Sequence, residues 1–549
     1  MLNRFDNYDE VYNSFNWFIP DIYNIASDTI DKYSHTERIA LKHISNNGNC
    51  KEYSFKYFFE KSNRLANVLD SICLDQNDRV GIILGQCPET LISHIACFKS
   101  GKISIPLFSL FGDNALLFRL KDSDASTVIC DDISLDKILS IKKSLPNLRN
   151  IISINLKKSN DVVFSFFELI EKASSNYNNI KSKFNDPALI IYTSGTTGDP
   201  KGAVLPHKVL LGHIPGVEMP HEFLSSDLSV KDCFWTPADW AWIGGLFDVL
   251  MPSLYFGIPV ISYRAPKFDP EFTFNLLEKY EVKNTFLPPT ALKIMKSFRQ
   301  KLKNNKLKLR TVGSGGESLG EELLNWGREV LNVGINEFYG QTECNLTISN
   351  CGLIMKQKLG SIGKPVPGHK VKLMNREGDF VKSEEEGQIV VNSDSPSTFL
   401  SYWKNKKETE KKIIDGWLQT GDYGIFDKEG YFYFKGRKDD LINSAGYRIG
   451  PSEIENSILS IKDVEMVAVI GVPDDLRGEI VKAVVVPKNI SNVKSQNNLL
   501  KEKIKSHVKN KLAAHEYPRI IQFVSELPLT TTGKIKRNIL RQNHLKELK

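Results

Sequence analysis

The densest run of chemistry-bearing residues is Tyr192 to Gly202, YTSGTTGDPKG, directly after the apolar run ALII. Thr193, Ser194, Gly195, Thr196, Thr197 and Gly198 are small hydroxyl residues or glycine, so their backbone N–H groups are left uncovered and can wrap a polyphosphate. Lys201 adds a mobile positive charge. A plain flexible loop would account for TSGTTG alone, but not for the Pro200-Lys201-Gly202 that follows. No Gly-Lys-Ser/Thr closes the run, so this is not a Walker A loop and a GTPase-type switch is not expected.

Such a loop needs rigid elements to hold it. Apolar runs of strand length occur at 79–85 (RVGIILG), 103–108 (ISIPLF), 126–131 (STVICD), 150–155 (NIISIN), 188–193 (ALIIYT) and 284–289 (NTFLPP), with the helix-like ETLISHIACFKSG between the first two. This βαβ punctuation predicts parallel sheets covered by helices, an α/β fold class. After Asp427 the texture changes to KEGYFYFKGRKDDLIN, an aromatic strand running into a charged break. The expected organisation is a large N-terminal lobe of α/β subdomains at 1–434, a hinge at 435–440 and a small α+β domain at 441–549. In the last, PSEIENSILS has helical spacing, VEMVAVIGV and EIVKAVVVP read as strands, and KNISNVKSQNN at 488–498 reads as a polar loop.

Composition narrows the class. With 549 residues, 41% apolar and 25% charged, the chain is neither disordered nor a single small module. A net charge of +7 over this length is too dilute for a dedicated nucleic-acid binder. The eight cysteines are scattered without metal-knuckle or redox spacing, which fits a reducing compartment. MLNRFDNYDE carries charges where a signal peptide needs an apolar run, so a cytoplasmic protein is expected. Trp240 to Ile261 is long enough to cross a bilayer, yet Asp248 and the breakers Gly244, Gly245, Pro252, Gly257 and Pro259 predict a buried helix, a turn and a strand instead. The basic stretch from Lys296 to Arg310 is expected to be a solvated helix end and loop.

Further motifs follow the loop in order: Gly315-Gly316-Glu317; Tyr339-Gly340-Gln341-Thr342-Glu343; WLQTGD with Asp422; KGRKDDLINSAGYRIGPSEIE at 435–455; and LPLTTTGKIKR at 527–537. Together with the loop they resemble the adenylate-forming superfamily of acyl-CoA synthetases, peptide-synthetase adenylation domains and beetle luciferases. The resemblance spans 192 to 537 and implies ATP, Mg²⁺ and coenzyme A as cofactor and substrates. Tyr339 would offer a face to adenine, with the glycines and Glu317 beside it. Thr342 would donate to the α-phosphate and Glu343 would ligate Mg²⁺. Asp422 and Arg437 would hold the ribose, and Lys534 would neutralise charge as a carboxylate attacks the α-phosphate. Asp439 would be the pivot of a mobile small domain. Gly446 leaves room for the pantetheine of coenzyme A, and Arg448 follows it.

The implied reaction is ATP-dependent activation of a carboxylic acid to an acyl adenylate, then transfer to the coenzyme A thiol. Acetate-specific relatives carry tryptophan where this chain has Gly340, so glycine is expected to open the acyl pocket. FWTPADWAWIGG at 234–245 should line that pocket, with Trp235 and Trp240 as walls. A short- or medium-chain acid of roughly three to ten carbons is expected from this pocket logic. The alternative is loading of a carrier-protein phosphopantetheine arm. The oxidising, luciferase-like reading has no feature of its own here. A degenerate binder is disfavoured by the presence of Lys534, Lys201, Thr342, Glu343 and Asp422. Expected partners are the small-molecule acid, ATP and coenzyme A, with neither nucleic acid nor integral membrane association, and an oligomer is left open.

Overall fold

The computed structural model describes residues 1–45, 47–193, 199–225, 227, 232–264, 267–299, 306–317, 319–438, 440–444, 447–474, 477–488, 494–512, 516–529 and 535–547. Among these, the strands form four sheets. The first has eight strands, and its parallel part runs through Pro187–Thr193, Ile103–Pro106, Arg79–Ile83, Thr127–Cys130 and Asn150–Ser153. Lys201–Pro206 closes one side antiparallel to Pro187–Thr193, with Thr193 opposite Lys201, so the expected phosphate loop connects two hairpin strands.

The second sheet has nine strands. At its centre Asn284–Phe286, Thr311–Gly315 and Ile335–Gln341 run parallel, and Cys344–Ser349 turns back antiparallel. The helix Val209–Glu218 is buried along its whole length, as is Pro88–Ser100 except at Glu89. Both join strands of the two α/β sheets in one apolar core cluster. A helix apolar on every side needs such a position, since no face of it suits water.

The third sheet is antiparallel: Val371–Met374, Gly387–Asn392, Trp417–Phe426 and Ile413–Ile414, with Phe432–Arg437 on the long strand. That pairing carries sheet structure to Arg437, three residues into the segment expected as hinge. The fourth sheet, with Val464–Asp474 paired to Gly478–Pro487 and the helices Pro451–Leu459 and Lys494–Lys511, has its own apolar core. The helix Lys494–Lys511 begins inside the run expected as a loop to 498. Ser, Gln and Asn give that first turn no apolar period, and the helix shows itself in the sequence only from Leu499.

No helix among the described residues is long and apolar enough to cross a membrane. Ile243–Gly245, a π-helical turn at Leu246–Leu250 and Met251–Phe256 make a continuous buried helix. Gly257 ends it in the left-handed region at φ 69°, before the strand Val260–Tyr263. Asp248 is buried in the π turn, hydrogen-bonded to Asn345, and burial holds its carboxyl well above the usual carboxylate range. All eight cysteines are free thiols, and six are buried.

Candidate active site

Parallel α/β strands end together, and the turns beyond their carboxyl ends are free to approach a ligand. Thr311–Gly315 and Ile335–Gln341 are neighbours with Gly315 opposite Phe338, so Gly316 and Glu317 emerge beside Tyr339 and Gln341. A Cβ on Gly315 would stand 2.5 Å from the Phe338 ring, so glycine there lets the two strands close up. Glu317 accepts the Thr290 hydroxyl on both oxygens, at 3.1 and 3.0 Å.

The Tyr339 hydroxyl donates to Asp422 Oδ2 at 2.6 Å, and Gln341 Nε2 donates to the same oxygen at 3.1 Å. Lys412 in turn donates to Gln341 Oε1 at 2.6 Å. Asp422 lies opposite Arg437 in the sheet, and Arg437 Nη1 stands 3.8 Å from Asp422 Oδ1. Burial first, then the Asp422 charge, raises the Tyr339 phenol well above its ordinary value, which keeps it a neutral donor. Asp422 and the pair Tyr339 and Gln341, read separately from two motifs, therefore form one hydrogen-bonded unit.

The phosphate side meets at a residue the sequence reading missed. The Tyr402 hydroxyl donates to Glu343 Oε1 at 2.5 Å, and Lys201 Nζ lies 5.3 Å from the Tyr402 ring centroid while pairing with Glu408. Tyr402 is held there because Ser401–Tyr402 adds to the edge of Lys201–Pro206, opposite Val204 and Ala203. Burial and then the Glu343 charge raise the Tyr402 phenol. Thr342 lies half-buried in the turn before Glu343.

A cavity of about 350 Å³ opens beyond Tyr339, between the lobe and the small domain. Phe434, whose ring centroid is 6.3 Å from that of Tyr339, lines it with Glu337, Ile425 and Gly320. Ser452, Glu453 and Asn456 of the helix Pro451–Leu459 cover it. Glu337 is a second missed residue: it lies two positions before Tyr339 on the same strand face, accepts the Leu319 N–H at 3.2 Å, and is pushed up to about 8 by burial. Its carboxyl, the one charged group of the strand Ile335–Gln341, was the available signal.

On the opposite strand face, Trp242, Phe286 and Phe338 pack in series, with centroid distances of 5.7 and 5.3 Å. Here the structure corrects the expected acyl walls. Trp240 has no accessible surface and belongs to the main core, whereas Trp235 belongs to a separate cluster and faces a cavity of about 110 Å³ with Gln86 and Arg264. Trp235 lies on the strand Phe234–Trp235 and Trp240 in the turn beyond it, so they pack into different clusters. Trp242, two residues on, is the half-buried tryptophan of the run. Gly340 also differs from expectation. A Cβ there would stand 2.4 Å from the Leu346 backbone nitrogen and 2.6 Å from Asn345 Oδ1, so the glycine permits a close backbone approach rather than simply leaving a void.

Ser194, Gly195, Thr196, Thr197, Gly198, Asp439, Gly446 and Lys534 lie outside the described residues, as does the Arg448 side chain. The strands Ile442–Ser444 and Tyr447–Ile449 on either side of Gly446 pair antiparallel, with Asn443 opposite Arg448. Three residues after Lys534, Arg537 sits among carboxylates: burial alone would lower its guanidinium pKa, but Glu455, Asp440 and the lobe residue Glu317 together raise it. Among the described residues, no group of three or more His, Cys, Asp or Glu could hold a metal ion.

The profile of the AMP-binding enzyme family matches residues 31–403, and that of the AMP-binding enzyme C-terminal domain matches 453–534. The chain is 32% identical over 559 residues to human acyl-coenzyme A synthetase ACSM3, mitochondrial, covering 99% of this chain and 94% of that protein. It is 33% identical over 535 residues to rat acyl-coenzyme A synthetase ACSM4, mitochondrial, covering 95% and 91%. Among solved structures, the anthranilate CoA ligase AuaEII in complex with anthranoyl-AMP superposes with a TM-score of 0.87 at 27% identity, covering 96% of this chain and 99% of that one. ATP-bound MatB from Rhodopseudomonas palustris gives 0.84 at 26%, covering 96% and 100%.

Proposed function

From its membership of the AMP-binding enzyme family, and as an AMP-forming acyl-CoA ligase, we propose how this chain divides the reaction between its lobe and its small domain. The observation that carries the proposal is the hydrogen-bonded unit of Tyr339, Gln341 and Asp422. The base of ATP lies against Tyr339 with its edge toward Glu337, whose protonated carboxyl can both donate and accept. Asp422 and Arg437 hold the ribose. The loop 193–198 and Lys201 hold the phosphates.

Glu343 and the Thr342 hydroxyl would hold Mg²⁺, which would supply charge neutralisation beside the phosphates. In the first half-reaction a carboxylate oxygen attacks the α-phosphorus and pyrophosphate leaves, with Lys534 and Thr342 stabilising the added charge. The small domain then pivots at Asp439. Lys534 withdraws, Gly446 and Arg448 line the pantetheine path, the thiolate attacks the acyl carbonyl and AMP leaves.

The acyl group lies along Trp242, Phe286 and Phe338, which supports a short- or medium-chain acid over a long one. The CoA ligases among the relatives speak against the carrier-protein alternative. The named mammalian relatives are mitochondrial proteins, so a cytoplasmic location rests on the sequence reading alone.

The testing experiment is mass spectrometry of the protein with MgATP, coenzyme A and carboxylic acids from acetate to decanoate, with branched, aromatic and thioether acids. One preferred acyl-CoA with stoichiometric AMP is expected. Acyl adenylate accumulating without thioester would overturn the assignment of coenzyme A as acceptor.

A further inference from the structure

Two irregular turns meet at Gly340, and neither half-reaction as described uses them. The first lies in the hairpin of Ile335–Gln341 and Cys344–Ser349: between the pairs Tyr339–Ile348 and Gln341–Cys344 stands one residue, Gly340, on the first strand and three, Asn345 to Thr347, on the second. Leu346 takes φ 48° in this bulge, a left-handed conformation that a bulky residue rarely adopts. The second is the π-helical turn Leu246–Leu250, which carries Asp248. Bulges of both kinds re-aim side chains, often beside a site.

Here they aim two side chains at each other. Asn345 Nδ2 donates to Asp248 Oδ1, and both residues are 4% exposed. Asn345 Oδ1 lies 2.6 Å from where a Gly340 Cβ would stand, so the asparagine amide occupies the space that a side chain at 340 would fill. The buried helix Val209–Glu218 backs both turns: a Cβ on Gly216 would stand 2.4 Å from Leu346 Cβ, and the His213 ring centroid is 5.4 Å from that of Phe247. Glycine at 216 therefore admits the bulge, and the bond to Asp248 holds the amide in one orientation. Phe338 and Gly340, two positions apart on one strand, share the face along which Trp242 and Phe286 pack. A methylene chain running along that face and reaching Gly340 meets the Asn345 amide. Advancing further would part a buried hydrogen bond and leave two desolvated polar groups, which costs more than the burial of one methylene returns.

We propose that Asn345, held by Asp248, is the end wall of the acyl pocket and sets the longest acid that the enzyme accepts. Asn345 is the specificity-determining residue, and Asp248 is a positioning residue that acts through it. The acyl path along Trp242, Phe286 and Phe338, on which this rests, ends at the amide.

The test is kcat/KM for acyl-CoA formation across straight-chain acids from acetate to dodecanoate, in the unaltered protein and in variants. Asn345→Ala should move the optimum to longer acids, and should raise the preference for an acid two carbons longer than the unaltered optimum by roughly tenfold or more. Asp248→Ala should shift the profile the same way, and Asp248→Asn, whose amide carbonyl still accepts from Asn345, should restore it. Asn345→Gln, longer by one methylene, should move the optimum to shorter acids. An Asn345→Ala profile of unchanged shape, with kcat/KM lowered equally for every acid, is what a purely structural role gives, and it would overturn the proposal. Should Asn345→Ala not fold, Asn345→Gln must show its shift. Trp242→Ala separates the two levels: an altered acid profile there, with none in the Asn345 variants, removes only the end wall, whereas an unaltered one removes the acyl path and the end wall with it.

Discussion

The nucleotide side of the lobe and the joint of the small domain handle charge in opposite ways. Asp422 is buried and satisfied by neutral donors, Tyr339 and Gln341, with Arg437 at 3.8 Å. At the joint, Asp440 and Glu455 are met by guanidinium groups, Arg537 and Arg541, on side chains that keep some exposure. A buried neutral network is costly to break because each lost partner leaves a desolvated polar group. A partly exposed ion pair keeps water within reach of its charges, so it is parted at less cost than a fully buried one. In the proposed division of the reaction, the fixed side would use the first kind of bonding and the moving side the second.

That contrast is broken or sharpened most by Lys534→Ala. The loss should be confined to adenylation, roughly 10²- to 10³-fold in pyrophosphate release, with acyl-CoA formation from supplied acyl adenylate retained. Loss of both would place the lysine on the fixed side. Asp422→Asn should do the reverse and weaken both half-reactions, because the AMP moiety is held through both. The expected cost is about 1.5–3 kcal/mol, roughly ten- to a hundredfold in kcat/KM. A selective effect on one half-reaction would erase the distinction.

Gly340→Ala tests packing at the edge of the fixed side. Its Cβ would press the Leu346 backbone nitrogen, so denaturant unfolding should show a loss of about 1–3 kcal/mol with the acid preference unchanged. A shifted preference at full stability would restore the glycine as a pocket determinant. The smallest effect concerns Glu337. Its folded value, about 8, lies above the ordinary 4.5, so the stability it contributes is present below about 4.5 and is lost as pH rises through about 8. Glu337→Gln removes this dependence, so the variant should gain on the unaltered, nucleotide-free protein between about pH 5 and about pH 8, by roughly 1–2 kcal/mol. A pH-independent difference would mean that the carboxyl is not held protonated.

Much of this was legible in the residues. The strand runs at 79–85, 103–108, 126–131, 150–155 and 188–193 appear as strands of one sheet, because strands buried on both faces read as unbroken apolar runs. The motifs at 315–317, 339–343 and 422 were visible because glycines, carboxylates and hydroxyls stand out beside the apolar strands that precede them. Which tryptophan of 234–245 packs on Phe286 was not legible: Trp235, Trp240 and Trp242 look alike in a local window, and only the tertiary path of the chain puts Trp242 there.

What the sequence by itself determined is the kind of protein, an AMP-forming acyl-CoA ligase, through motifs that are each local in the chain and set by residue type. What only the tertiary structure decided is the company those residues keep. Tyr402 meets Glu343 across 59 positions, Asp422 meets Tyr339 across 83, and Arg537 meets Glu455 across 82. Such pairings are set by sheet register and domain closure, and no periodicity in the chain encodes them.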